Sequence, residues 1–199
     1  MNGVDKAALR LDGHRIIERQ VVALRQVTDS ILLVGGSAER FAGLGLRAVP
    51  DVVHDRGALG GIYSALVAAD RPRTLIVACD MPFLNVRFLR RLVQPTPSDV
   101  DAVIPRTHAG FQPLCAVYAE RCASAIRQRI QSGLLEATAL ARCLTVEEIG
   151  PEELATYDPD GLMFVNVNTP HDYDRAKDLM DRLRGSQAAM GDPITDATS

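Results

Sequence analysis

The 199-residue sequence has no tryptophan, 5% aromatic residues, four cysteines, four histidines and a formal net charge of only -3. Each shortage closes a class of function. Cys79, Cys115, Cys122 and Cys143 show no Cys-x-x-Cys spacing, which argues against a zinc site or a disulfide framework and for reduced, mostly buried thiols. His14, His54, His108 and His171 also lack ligand spacing and read as surface residues. The near-balanced charge gives no electrostatic reason to bind nucleic acid, so any anionic ligand must be held by a local site. No apolar run nears the roughly 18 residues needed to cross a bilayer, and the N-terminus carries no charged-then-apolar leader pattern. No membrane and a cytoplasmic location are therefore expected.

What remains is an ordinary globular composition, 47% hydrophobic and 24% charged, long enough to bury a real core. Helical periodicity runs over 14–26, with Ile16, Ile17, Val21, Val22 and Leu24 as its apolar face. A buried strand at 31–34 ends at Gly35-Gly36. A short helix at 38–43, a strand at 47–49, a helix at 62–69 and a strand at 75–78 follow. Further on, helix 86–93, strand 102–105, loop 106–112, strand 113–118, helix 119–131, helix 135–142, edge strand 144–149, strand 164–168 and a helix from 170 to about 183 alternate. This order predicts an α/β, three-layer, Rossmann-like arrangement with a mostly parallel sheet. One domain over 1–184 is expected, with a disordered tail over 185–199 that is rich in Gly, Ala, Ser, Asp and Thr.

The run Leu75-Ile76-Val77-Ala78 stops at Cys79-Asp80-Met81-Pro82. Strands of that composition are buried on both faces, and ligands of open α/β sheets sit beyond their carboxyl ends. Asp80 therefore either meets a metal or phosphate, or caps the following helix or opens a turn with Pro82. In Val165-Asn166-Val167-Asn168-Thr169-Pro170, apolar residues alternate with Asn166 and Asn168, so both amides project to one face. They serve either a turn or the coordination of a hard cation such as Mg²⁺, which prefers oxygen ligands and keeps several waters. Thr169 with Pro170 and Asp172 forms a capping-box-like helix start.

Gly57-Ala58-Leu59-Gly60-Gly61 precedes a helix, so bare backbone can approach an anion or a flat base, or simply turn tightly. Asp51 just upstream could accept hydrogen bonds from a base or ribose, or be a turn aspartate after Pro50. Lys6, after Gly3, offers an ammonium able to neutralise polyphosphate charge or a solvated terminal side chain.

Together these segments resemble the molybdenum cofactor guanylyltransferase family of nucleotidyltransferases. The matching residues, in order, are Gly3-x-Asp5-Lys6, Asp51 with Gly57-Ala-Leu-Gly60-Gly61-Ile62, Cys79-Asp80-Met81-Pro82-Phe83, Gln112-Pro113-Leu114-Cys115-Ala116-Val117-Tyr118 and Asn166-Val167-Asn168-Thr169-Pro170. The likeness covers about residues 1 to 183. It implies transfer of GMP from GTP to molybdopterin with Mg²⁺ and release of pyrophosphate. On that reading Lys6 holds the triphosphate, and Asp51, Gly60 and Gly61 contact the guanosine. Asp80 binds Mg²⁺, with Asn168 as a further ligand, and Asn166 and Asn168 lie on the pterin side. Molybdenum-insertion proteins and molybdoenzymes are the further partners implied.

Members of the family open with a strand and a loop of the form Leu-Ala-Gly-Gly-x-Ser-x-Arg-Met-Gly-x-x-Lys, and Met1 falls on the methionine of that pattern. The resemblance thus implies a sheet without its first strand and a phosphate site without its Gly-rich loop. A start read at an internal Met, a shortened copy or a decayed copy would each explain this, and weak GTP binding is expected. Gly35-Gly36-Ser37-x-x-Arg40 lies downstream of Lys6 and reads as a strand-to-helix turn instead. The alternatives are a cytidylyltransferase acting on the same cofactor and a non-catalytic molybdopterin-binding module. The two asparagines favour guanine by resemblance, since the cytidine branch tends to carry aspartates there.

Overall fold

The computed structural model describes residues 9–35 and 43–189. Its first element is a small hairpin, β1 (Arg10–Leu11) with β2 (His14–Arg15), closed by Asp12 and Gly13 at φ 52° and 76°. Two positive φ values in a row suit the right-handed twist of a two-residue hairpin, and Asp-Gly adopts them readily. Helix α1 (Ile16–Leu24) follows at once, so the helix expected from residue 14 starts two residues later. Its buried stripe contains Gln20 and omits Val22, which is 64% exposed. Ile16, Ile17, Gln20 and Val21 are one turn apart, whereas Val22 lies off that stripe.

Strands β3 (Leu32–Val34) and β4 (Arg47–Val49) pair in parallel. Helix α2 (Gly57–Ala68) leads to β5 (Arg73–Val77), then α3 (Val86–Leu92), β6 (Ala102–Thr107), β7 (Gly110–Phe111) and β8 (Cys115–Ala119). Helix α4 (Cys122–Gln131), a 3₁₀ turn (Thr138–Arg142), β9 (Val146–Ile149), α5 (Pro151–Ala155) and α6 (Pro170–Ala189) complete the order. The larger sheet runs β5-β8-β6, with β9 parallel to β6 and β7 antiparallel to it. β8 runs against both β5 and β6, a departure from a mostly parallel sheet. The cause is connection length: β6 returns through β7 without the dozen or more residues a parallel crossover needs.

Helices cover both faces. Ile76, Ala102, Ile104, Ala116 and Tyr118 pack with residues of α2 and α4 on one side. Val103, Cys115 and Val117 pack with residues of α3 and α5 on the other. This is the period-2 alternation of buried strands. A third small core joins the hairpin to α6 through Leu11, Ile16, Val167, Ala176 and Met180.

Several expectations change. The helix placed at 62–69 begins at Gly57, and the loop expected over 106–112 contains a β-hairpin extension. The strand expected over 164–168 is irregular chain, although Val167 is buried between exposed Asn166 and Asn168 as the alternation required. Helix α6 continues to Ala189, past the point where a disordered tail was expected, and 190–199 lie outside the described residues, as does most of the short helix at 38–43. The hairpin and α5 were not anticipated. Two thiols, Cys115 and Cys122, are buried as expected, but Cys79 and Cys143 are exposed; none of the four is in a disulfide. Among the described residues no helix is long and apolar enough to cross a membrane.

The edge of β3 away from β4 and the edge of β5 away from β8 both line one cavity of about 1060 Å³. Among the described residues no strand pairs with either edge. Ile17, Val21 and Leu24 of α1 wall one side, and Ala58, Gly61, Ala65 and Ala68 of α2 the other. β3, expected to be buried, is only half-buried.

Candidate functional site

Asp51, Gly61 and Asp80 all line this cavity. Asp51 arrives there two residues after β4 ends at Val49. Its neighbour Val52 donates its N–H to Ser64 Oγ at 2.9 Å, and Ser64 is fully buried in α2. Gly35 crosses close by: a Cβ at that position would come within 2.9 Å of Asp51 Oδ2, and its φ of 73° disfavours a side chain as well. Asp51 Oδ1 is buried and has no hydrogen-bond partner among the described residues. Leaving a buried acceptor unsatisfied costs about 1–3 kcal/mol, which a bound ligand would offset.

The glycines work differently from the expected loop. Gly60 donates its N–H to the Arg56 carbonyl at 3.1 Å, inside the first turn of α2. The N–H groups left over at the helix start belong to Gly57, Ala58 and Leu59, and no side chain caps them. Ala58 lines the cavity, so this uncapped end lies beside Asp51 and Gly61. Gly60 is needed for packing, since a Cβ there would meet Arg56 Cβ at 2.9 Å and the Val53 carbonyl at 3.2 Å. Gly61 faces open space, and a Cβ added there would meet nothing within 4 Å.

Asp80 follows β5 in the turn after Ala78. It is not the cap of α3: Asn85 fills that role, accepting from the N–H groups of Arg87 and Phe88 at 2.8 and 3.3 Å. The turn is pinned from several directions. Ala78 donates its N–H to Leu114 at 2.8 Å, and Val167 donates its N–H to the Asp80 carbonyl at 2.9 Å. The second bond sets Asn166 and Asn168, both exposed, on either side of a residue tied directly to Asp80. They do not line the cavity itself. Behind them Asp172 Oδ2 accepts from the N–H groups of Asn168 and Thr169, and Asp172 donates its N–H to Thr169 Oγ1 at 3.1 Å. The side-chain bond with Thr169, then the backbone one, holds the Asp172 carboxyl below its ordinary range.

Lys6 lies outside the described residues, as do Gly3, Asp5, Ser37 and Arg40. Sequence reasoning passed over Gln20 and Ser64, two buried polar residues that fix the loops around the site. The available signal was a glutamine in register with Ile16, Ile17, Val21 and Leu24 on an otherwise apolar helix face.

Among the described residues no group of three or more His, Cys, Asp or Glu gathers as a cation cage. A lone carboxylate on the cavity, such as Asp80, suits instead a hard cation that keeps several waters and takes substrate phosphates as its other ligands.

The chain matches the model of the MobA-like NTP transferase domain over residues 1–146. It is 31% identical over 175 residues to a molybdenum cofactor guanylyltransferase of Desulfosudis oleivorans, covering 88% of this chain and 87% of that one. It is 35% identical over 176 residues to a probable molybdenum cofactor guanylyltransferase of Chloroflexus aggregans, covering 85% and 84%. Among solved structures, molybdopterin-guanine dinucleotide biosynthesis protein A of Archaeoglobus fulgidus superposes with a TM-score of 0.76 at 25% identity, covering 91% of this chain and 93% of that one. Because that family model spans residues 1–146 and these relatives match most of the chain in sequence and fold, the chain belongs to the MobA-like NTP transferase family and is a nucleotidyltransferase.

Proposed function

We propose that this enzyme transfers GMP from GTP to molybdopterin, forming the guanine dinucleotide of the cofactor and releasing pyrophosphate. The observation that carries this reading is the single cavity onto which Asp51, Gly61, the uncapped start of α2 and Asp80 converge, with the Asn166–Asn168 segment bonded to Asp80 at its rim. In the proposed reaction a terminal phosphate oxygen of the pterin attacks the α-phosphorus of GTP. A new P–O bond forms as the bond to the bridging oxygen breaks, and pyrophosphate leaves with that electron pair. The attacking phosphate is already ionised at neutral pH, so alignment and charge neutralisation matter more than a general base.

The proposed residue roles draw on the cavity for the described residues and on the family resemblance for Lys6. Asp51 accepts hydrogen bonds from the nucleoside, and the bare Gly61 surface leaves room for a flat base. The uncapped α2 start offers N–H groups and a favourable helix dipole to an anion. Asp80 holds Mg²⁺, with Asn168 as a neighbouring oxygen donor; the ion would neutralise the phosphates and polarise the α-phosphorus. Lys6 offsets charge on the departing pyrophosphate. Asn166 and Asn168 face the pterin.

Pyrophosphate release and dinucleotide formation, measured with purified molybdopterin and Mg²⁺ in parallel reactions with GTP and CTP, test the reading. Faster turnover with GTP supports it. Preference for CTP would make the enzyme a cytidylyltransferase, and pterin binding without pyrophosphate release from either nucleotide would make it a binding module.

A further inference from the structure

Gln20 is 3% exposed, in the middle of α1, on a stripe otherwise made of Ile16, Ile17, Val21 and Ala23. Its side-chain amide donates from Nε2 to the Ala78 carbonyl at 2.7 Å and to the Met81 carbonyl at 2.9 Å. Those carbonyls bracket Cys79 and Asp80. Only the nitrogen end of the amide can satisfy two acceptors at once, so the contacts also fix which way the amide is turned. A buried glutamine on an apolar helix face is costly unless its polar atoms are used, and here both donors are spent on one four-residue turn.

We propose that Gln20 is a positioning residue that holds the Asp80 turn in the conformation needed to present its carboxylate to the divalent cation. The inference rests on the metal role proposed for Asp80. Three other main-chain ties steady the same stretch: Ala78 N–H to Leu114, Val167 N–H to the Asp80 carbonyl, and the last rungs of β5 with β8. All of those are backbone to backbone. Gln20 supplies a side-chain tie, and it hydrogen-bonds the turn to α1, whose Ile17 and Val21 wall the cavity. The helix that encloses the ligand space and the turn that carries the carboxylate are therefore tied directly to each other.

A glutamine that merely anchored α1 would give a different result on mutation from one that sets the turn. Gln20→Leu removes both donors and keeps an apolar side chain of similar reach. Ile126→Val, in α4 within the opposite core layer, serves as a control that loosens the fold away from the site. Two quantities are read on the purified full chain: amide hydrogen exchange at Cys79, Asp80, Met81 and Val167 without metal, and Mn²⁺ affinity by electron paramagnetic resonance with Mn²⁺ alone as probe. For Gln20→Leu, exchange at those four amides should accelerate by about tenfold or more, while the α4 amides change only as the melting temperature dictates. Mn²⁺ should bind at least about fivefold more weakly. Ile126→Val should leave both unchanged. Exchange at the turn that tracks global stability in both variants, or Mn²⁺ affinity within about twofold of the parent in Gln20→Leu, overturns the proposal. If the unmutated chain binds no Mn²⁺, the metal role of Asp80 fails and this proposal fails with it; if it binds and only the Gln20 arm is silent, the positioning role alone fails.

Discussion

The main-chain N–H of Val167 donates to the carbonyl of Asp80 at 2.9 Å, joining the end of the β5 turn to a segment 87 positions further along the sequence. Because the carbonyl makes this bond, the Asp80 side chain can be changed without breaking it. Asn85, not Asp80, caps α3, so the following helix does not depend on the carboxylate either. Asp80→Ala should therefore lower GTP turnover by about two to three orders of magnitude while shifting the melting temperature by no more than about 2 °C. Pyrophosphate release paired with thermal unfolding checks both halves. Activity above a few per cent of the parent would remove Asp80 from the proposed cation site.

Gly60 and Gly61 are adjacent, yet they should answer alanine in opposite ways. At Gly60 the added methyl meets Arg56 Cβ at 2.9 Å and the Val53 carbonyl at 3.2 Å, so Gly60→Ala should destabilise by about 1–3 kcal/mol. At Gly61 nothing lies within 4 Å, and replacing a helical glycine by alanine should stabilise by up to about 1 kcal/mol. Gly61 also lines the cavity, so Gly61→Ala should raise the KM for GTP despite the firmer helix. Denaturant titration and GTP saturation curves separate the effects. An unchanged KM in Gly61→Ala would place the base elsewhere.

Much of this was legible in the sequence because period and punctuation agreed. The Leu75 run, the Arg47–Val49 strand, α3 and the Thr169 capping box with Asp172 stand where hydrophobic pattern and cap chemistry put them. The parts that differ share a cause: tertiary contacts that single-chain periodicity does not encode. Val167 satisfies its N–H with a single bond to Asp80, so its alternating neighbours form no strand. Gln20 is buried because two carbonyls of a distant turn await it. Helix α2 starts earlier than expected because Gly60 and Gly61, loop-like in isolation, are held in the helical turn, with Gly60 tight against Arg56. The Asp12-Gly13 hairpin and the Pro151 start of α5, with Glu152 and Glu153 in its first turn, carry local signals that are readable in the sequence. The convergence of Asp51 and Asp80 on one cavity came from resemblance, since no spacing rule links positions in separate strands.

The cysteines divide into two pairs. Burial pushes the Cys115 thiol up to about 12 and Cys122 up to about 11, whereas Cys79 and Cys143 are exposed. Burial thus keeps the Cys115 and Cys122 thiols protonated at pH 8 and out of reach, so an aromatic disulfide reagent should modify Cys79 and Cys143 quickly and the other two only on unfolding. Since Cys79 precedes Asp80, GTP with Mg²⁺ should slow its labelling and leave Cys143 unaffected. Peptide mass mapping after short exposures reads each site. Equal slowing at both thiols, or none at Cys79, would count against a nucleotide at the end of β5.

Acid sensitivity should centre on Asp101, just before β6. Its Oδ2 accepts the Thr145 N–H at 2.9 Å and its Oδ1 accepts from Arg121 Nε at 2.6 Å, drawing together the starts of β6, α4 and β9. The Thr145 backbone bond, followed by the Arg121 bond, holds the carboxyl below its ordinary value against an opposing effect of burial. A carboxylate whose folded pKa is depressed stabilises the fold fully above its unfolded value of about 3.9 and loses that contribution as pH falls through the folded value. Asp101→Asn should therefore lower the urea midpoint most near neutral pH, with the gap from the parent closing below about pH 4. Midpoints for both proteins across an acid series provide the check. A gap that stays constant into acid would show that the lost contribution is the shape of the side chain and its bond to Thr145 rather than the charge facing Arg121.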